Sequence, residues 1–117
     1  MRNRLILIAV LTMMLLSSTG YAQNDISGVG LEVTMISEQG LKIIGVIPNT
    51  SASDAELSPG LFIQKIDGIP TKDKSLEECV KMIRGPIGSN VKLELVDTTN
   101  DKTITVDLAR EIIHKFQ

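Results

Sequence analysis

The chain has 117 residues, 43% of them hydrophobic, with 12 Lys and Arg against 14 Asp and Glu for a net charge of −2. That is one small domain, long enough for a single core of modest stability. The low aromatic content, the absence of Trp and the lack of a basic patch argue against a nucleic-acid surface.

Arg2 and Arg4 open the chain, and Leu5 to Leu16 is an apolar run broken by Thr12. Ser17 to Ala22 supplies small residues, with Gly20 and Ala22 at the positions a signal peptidase reads. These are the proportions of a secretory signal peptide over residues 1–22, with cleavage expected after Ala22. The run is shorter than the roughly twenty residues of a membrane span; an uncleaved anchor is the other reading. The mature chain, Gln23–Gln117, keeps ten basic and fourteen acidic residues, a net of −4. Its location is then periplasmic or secreted. Cys79 is the one cysteine and has no internal disulfide partner; its place in a helix favours burial over a dimer contact.

Gln23 to Ser27 reads as a polar lead-in. Gly28-Val29-Gly30-Leu31 follows, a turn whose successive N–H groups can converge on an anion such as a carboxylate. Leu31–Met35 alternates as a strand with one dry face, Glu38-Gln39-Gly40 turns, and Leu41–Ile47 reads as a second strand. Ser51 to Leu57 predicts one or two helical turns around Ala52 and Ala55. Leu61–Ile66 predicts a third strand, closed by the hairpin signal Asp67-Gly68, and Ile69-Pro70 a short edge strand.

The main helix is predicted over Ser75–Arg84. Ser75 and Glu78 form a capping box, Glu77 and Lys81 an i,i+4 pair, and Gly85-Pro86 the stop. Val91–Val96 and Thr103–Leu108 predict a last hairpin around Asp97–Asp101. Arg110–Gln117 has no clear pattern. A single Cys and a single His, Cys79 and His114, far apart in sequence, give no metal set, and no cofactor motif is present.

The order strand, strand, short helix, strand, capped helix, strand, strand resembles a PDZ domain of the bacterial type. The detailed residues are similar to the PDZ domain of C-terminal processing (tail-specific) proteases. They include Gly28 to Val33, Ile44 to Pro48, Pro59-Gly60, Ile66 to Pro70, Ser75 to Gly85 and Gly88. The resemblance implies an α+β fold: a small, partly open β-barrel or sandwich of five to six strands, one long and one short helix, in the circularly permuted bacterial strand order. The domain is expected over residues 23–110 with a tail from 111 to 117. Glu56 and Leu61 depart from the family pattern. Asn24 to Ser27, directly before the carboxylate turn, hold no basic residue, and Arg110 is the candidate to approach it.

The resemblance also implies a groove between the first strand and the long helix, where a guest peptide adds as an antiparallel strand. The N–H groups of Val29, Gly30 and Leu31 would hold its terminal carboxylate, with Gly28 and Gly30 allowing close approach. Val29, Leu31, Val33 and Ile83 would line the pocket for the last side chain, and Leu76 and Val80 would meet the residue two positions earlier. With Leu76 at the helix start, apolar residues are expected at both pockets. The function expected is an exported, non-enzymatic peptide-binding module for C-terminal or extended apolar segments of envelope proteins, an adaptor or regulator of proteolysis. The alternatives are a non-catalytic part of a C-terminal processing serine protease and a structural component of an envelope or secretion complex.

Overall fold

Alternating apolar residues pair off along the chain as antiparallel hairpins. The computed structural model describes residues 25–114; the expected signal peptide lies outside them. The strands are β1 (Asp25–Gly28), β2 (Leu31–Ile36), β3 (Gly40–Val46), β4 (Phe62–Ile66), β5 (Ile69–Pro70), β6 (Asn90–Asp97), β7 (Lys102–Ala109) and β8 (Glu111–His114). Two helices, α1 (Ser51–Asp54) and α2 (Leu76–Ile83), interrupt them. The main sheet has the order β2-β3-β4-β6-β7, with β5 hanging on β4. β1 and β8 form a separate two-stranded sheet. The fold is therefore mostly sheet with two helices, and the sheets stay open, not closed into a barrel.

Two strands go beyond the six expected. The polar lead-in is β1, and the segment expected as a tail begins as β8. Neither has the length or alternation that marks a strand locally; their pairing joins the two ends of the described residues. Residues Ser27–Ile113 form one compact unit.

The core follows the period of two along β3 and β6, and β4 departs from it by one residue at an irregularity between Ile63 and Lys65. Leu41 and Ile43 of β3, Ile63 and Ile66 of β4, and Val91, Leu93 and Leu95 of β6 are all buried. Each such side chain contributes roughly 1.5–3 kcal/mol on leaving water. Cys79 and Ile83 cover this layer from α2, and Ala52 from α1. Burial pushes the Cys79 thiol up, further from the thiolate a reactive cysteine needs.

Both helices start with reciprocal caps. Ser75 Oγ accepts from Glu78 N at 3.1 Å while Glu78 Oε1 accepts from Ser75 N at 3.2 Å. Thr50 and Ser53 do the same for α1. At the other end of α2 the structure corrects the expected glycine stop. Arg84 ends the helix in an extended conformation, and Gly85 is not in the left-handed region. A Cβ on Gly85 would instead lie 2.8 Å from Arg110 Nε, so close packing sets the requirement. Glu77 and Lys81, both exposed, do not form the expected ion pair; water solvates each as well as the partner would.

Candidate functional site

The turn Gly28–Leu31 links the small sheet to the main one. Gly30 takes φ +92°, and a Cβ there would collide with the Thr50 side chain, so both conformation and space demand glycine. The carbonyls of the turn are engaged on the inner side. Val29 O accepts from Ala52 N at 2.9 Å, and Gly30 O from Ile47 N at 2.8 Å. Among the described residues, the N–H groups of Val29, Gly30 and Leu31 make no backbone hydrogen bond outside the strand ladders.

The ladder decides which way β2 faces. Because Ile47 N reaches Gly30 O, the facing residues Leu31 and Val46 are a non-hydrogen-bonded pair. A bulge follows between Glu32 and Val33, and Val33 then faces Ile43. Ile43 gives its N–H to Leu61 O and its carbonyl to Gly60 N, both on the far side. The backbone polar groups of Leu31 and Val33 therefore point away from β3. On that side β2 has no strand neighbour among the described residues. This is an open edge able to take another strand.

One contact and one shared cavity set α2 against that edge. Ser27, just before the turn, accepts from Gly85 N at 3.4 Å and donates to Gly85 O at 2.5 Å. The start of β2 is thereby held at the C-terminal end of α2. At the other end, Met35 and Ile36 of β2 line one cavity together with Thr71 and Lys74, which lead into α2. The helix thus runs opposite to β2, end against beginning.

The sequence-designated residues fall into two groups. Val29 and Ile83 belong to the buried core, 1% and 6% exposed, and Gly28 and Gly30 are buried with them. Leu31, Val33, Leu76 and Val80 are half-buried. Leu31, Val33 and Leu76 pack against the same core cluster.

Arg110 is corrected. Its guanidinium does not serve the carboxylate turn but caps α2. Nε donates to Ile83 O at 2.9 Å and Nη2 to Met82 O at 3.1 Å. Nη1 donates to Ser89 Oγ at 2.9 Å and Asn90 O at 3.0 Å, and Asp67 lies 3.8 Å from Nη2. The donors are taken up by carbonyls that α2 leaves open at its end. Sequence reasoning passed over Ser27 as part of a polar lead-in; its only signal was a small hydroxyl residue immediately before Gly-X-Gly.

No group of His, Cys, Asp and Glu among the described residues is arranged to hold a metal ion.

The profile of the PDZ domain family matches residues 22–96. This chain belongs to the PDZ domain family. A carboxy-terminal-processing protease of Bartonella bacilliformis is 34% identical over 91 residues, covering 78% of this chain and 21% of the protease. A carboxyl-terminal-processing protease of Synechocystis sp. is 32% identical over 90 residues, covering 76% and 21%. The chain thus spans about a fifth of the length of these relatives. Among solved structures, the PDZ domain of a carboxy-terminal protease from Vibrio cholerae, in complex with peptide, superposes with a TM-score of 0.69. Its identity is 23%, over 77% of this chain and 98% of that one. A photosystem II D1 C-terminal processing protease gives 0.70 at 27% identity, over 82% and 25%. The PDZ domain described here is therefore related to those of C-terminal processing proteases.

Proposed function

We propose that this PDZ domain captures the C-terminal ends of apolar, extended peptides in the groove between β2 and α2. The observation that carries the reading is the open edge of β2. Leu31 and Val33 turn their backbone groups outward there, and Ser27 fastens the adjacent turn to the end of α2. A guest strand would pair antiparallel with β2, its carboxylate meeting the N–H groups of Val29, Gly30 and Leu31. A hydrogen bond to a charged group contributes roughly 1.5–3 kcal/mol. Val29 and Ile83 would floor the last pocket, with Leu31 and Val33 as its walls; Leu76 and Val80 would meet the residue two positions earlier. The peptide held by the Vibrio cholerae relative supports the same use of the fold.

The domain acts in the periplasm or outside the cell in this reading, after removal of residues 1–22, with the compact unit Ser27–Ile113 carrying the groove. It recognises and does not cleave. The relationship to C-terminal processing proteases favours a second reading, in which the same groove presents chain ends to a catalytic domain as a non-catalytic part of such a protease.

NMR titration of the chain with a hexapeptide ending in two apolar residues tests the site. The largest amide shifts are expected at Val29–Leu31, Val33, Leu76, Val80 and Ile83. Shifts confined to β7, or none at millimolar peptide, would overturn it.

A further inference from the structure

The main sheet has a second free edge. β2 ends it on one side and β7 on the other, and β7 has no strand neighbour beyond it among the described residues. The two edges differ in kind. β2 is bulged between Glu32 and Val33, whereas β7 pairs with β6 in unbroken register from Lys102 to Ala109. Proline, bulges and charge are the means by which an edge refuses another strand. Lys102-Thr103-Ile104-Thr105-Val106-Asp107 has no proline and no bulge, and its charges stand at its two ends.

Two hydrogen bonds fix which groups β7 turns outward. The carbonyl of Lys92 on β6 accepts from Asp67 N at 2.7 Å, on the side away from β7. Lys92 and the facing Asp107 are therefore a non-hydrogen-bonded pair, and Asp107 directs its own backbone groups away from β6. Two residues on, Ala109 O accepts from Ser51 Oγ of α1 at 2.7 Å, again on the outer side. By the period of two, Thr103 and Thr105 share that direction. α1 thus closes the edge at Ala109, and Thr103, Thr105 and Asp107, all exposed, leave it open. Between them Ile104 and Val106 are half-buried against the core.

We propose that β7 is a self-association edge, met antiparallel by β7 of a second copy of this chain across a two-fold axis at Thr105. In that register Thr103 faces Asp107 of the second copy, Thr105 faces its counterpart, and Asp107 faces Thr103. Every open backbone group of the three residues is then used. Ile104 faces Val106 of the second copy in a non-hydrogen-bonded pair, where side chains approach most closely. No like charges are opposed, since Lys102 meets Leu108 and Asp107 meets Thr103. An axis at Asp107 would oppose two carboxylates, and one at Thr103 would carry the pairing past the start of the strand at Lys102. The product is one continuous sheet with five strands from each copy. The β2 edges lie at its two far ends, so association at β7 holds whether or not β2 takes a peptide, and a dimer carries two such edges.

The paired stretch is short, so the dimer is weak. Sedimentation of the chain is expected to show monomer at about 10 µM and mostly dimer at about 1 mM. The amides of Thr103, Thr105 and Asp107 should shift over the same range in NMR spectra. Thr105→Lys and Thr105→Glu each place like charges at the axis and should associate about two- to fivefold more weakly than wild type. Mixed one to one, the two variants should associate more tightly than either alone. Thr105→Pro removes an outward N–H without taking a bond from the β6 ladder and should stay monomeric. Circular dichroism checks the fold of each variant, and the charge pair carries the test if the proline variant does not fold. A wild-type chain that remains monomeric at about 1 mM overturns the proposal. So does a dimer whose shifts fall on β2 and α2, or one indifferent to charge at Thr105.

Discussion

Ser27 Oγ holds both polar groups of Gly85, accepting from its N–H and donating to its carbonyl across 58 residues of sequence. One hydroxyl thus joins the strand that precedes the Gly-Val-Gly turn to the exit of α2. The turn and the helix end are the two walls of the proposed carboxylate pocket, and this hydroxyl links them directly by hydrogen bonds. Serine suits the place because its single oxygen is donor and acceptor at once.

Replacing it separates binding from folding. Ser27→Ala removes both bonds and should cost about 1–3 kcal/mol of stability, the size of two ordinary hydrogen bonds. It should weaken an apolar C-terminal peptide about three- to tenfold, because the turn is no longer referenced to the helix. Urea denaturation and calorimetric titration of the same samples measure both. Unchanged affinity would mean that the contact is structural only.

Gly30 and Gly60 share a left-handed backbone but differ in their surroundings. At Gly30 (φ +92°) an added Cβ runs into Thr50, whereas at Gly60 (φ +102°) nothing lies within 4 Å. Gly30→Ala combines strain with overpacking and should destabilise by about 2–5 kcal/mol. Gly60→Ala carries the strain alone, about 1–2 kcal/mol. Denaturant midpoints of the two variants should differ in that order.

Arg110 tests the capping of α2. Arg110→Met removes the donors from the carbonyls of Met82, Ile83 and Asn90 in a buried setting and should cost about 2–4 kcal/mol. Arg110→Lys should recover little, since one ammonium cannot reproduce the planar fork. Thermal melts of both variants check this, and full rescue by Lys would contradict the assignment.

The helix caps were readable from sequence because they are local: Ser75 and Glu78 state their geometry within four residues. The six strands that alternate were readable for the same reason. β1 was not. Asp25-Ile26-Ser27-Gly28 carries no apolar period, and its partner β8 lies at the other end of the chain, so its stability is entirely non-local. α1 was readable as one or two helical turns within Ser51–Leu57, but its start was not, because its capping box closes with Ser53 in place of the usual Glu or Gln. The Arg110 role was misread because nothing beside it in sequence names its acceptors, the carbonyls of Met82 and Ile83, more than 25 residues away.

Two carboxylates, exposed Glu78 and half-buried Asp97, predict a weak acid dependence. The cap bonds from Ser75, backbone first, hold Glu78 below the ordinary glutamate range, and the Asn100 side chain holds Asp97 below the ordinary aspartate range. Lowered folded values mean that the stabilisation is present at neutral pH. It is lost as pH falls from the unfolded values through the folded ones. The E78Q/D97N variant should therefore lose less stability than wild type between about pH 6 and pH 3. A steeper acid loss in the variant would reverse the sign and contradict the assignment.

The central claim is that the Gly28–Leu31 turn reads a free chain end. The most direct measurement compares one apolar hexapeptide with a free carboxylate and the same peptide as its C-terminal amide, by calorimetry, on wild type and on Leu31→Lys. The account predicts at least tenfold weaker binding of the amide, and loss of binding by Leu31→Lys, whose fold is checked by circular dichroism. Equal affinity for acid and amide on the wild-type chain would show that the carboxylate turn is unused.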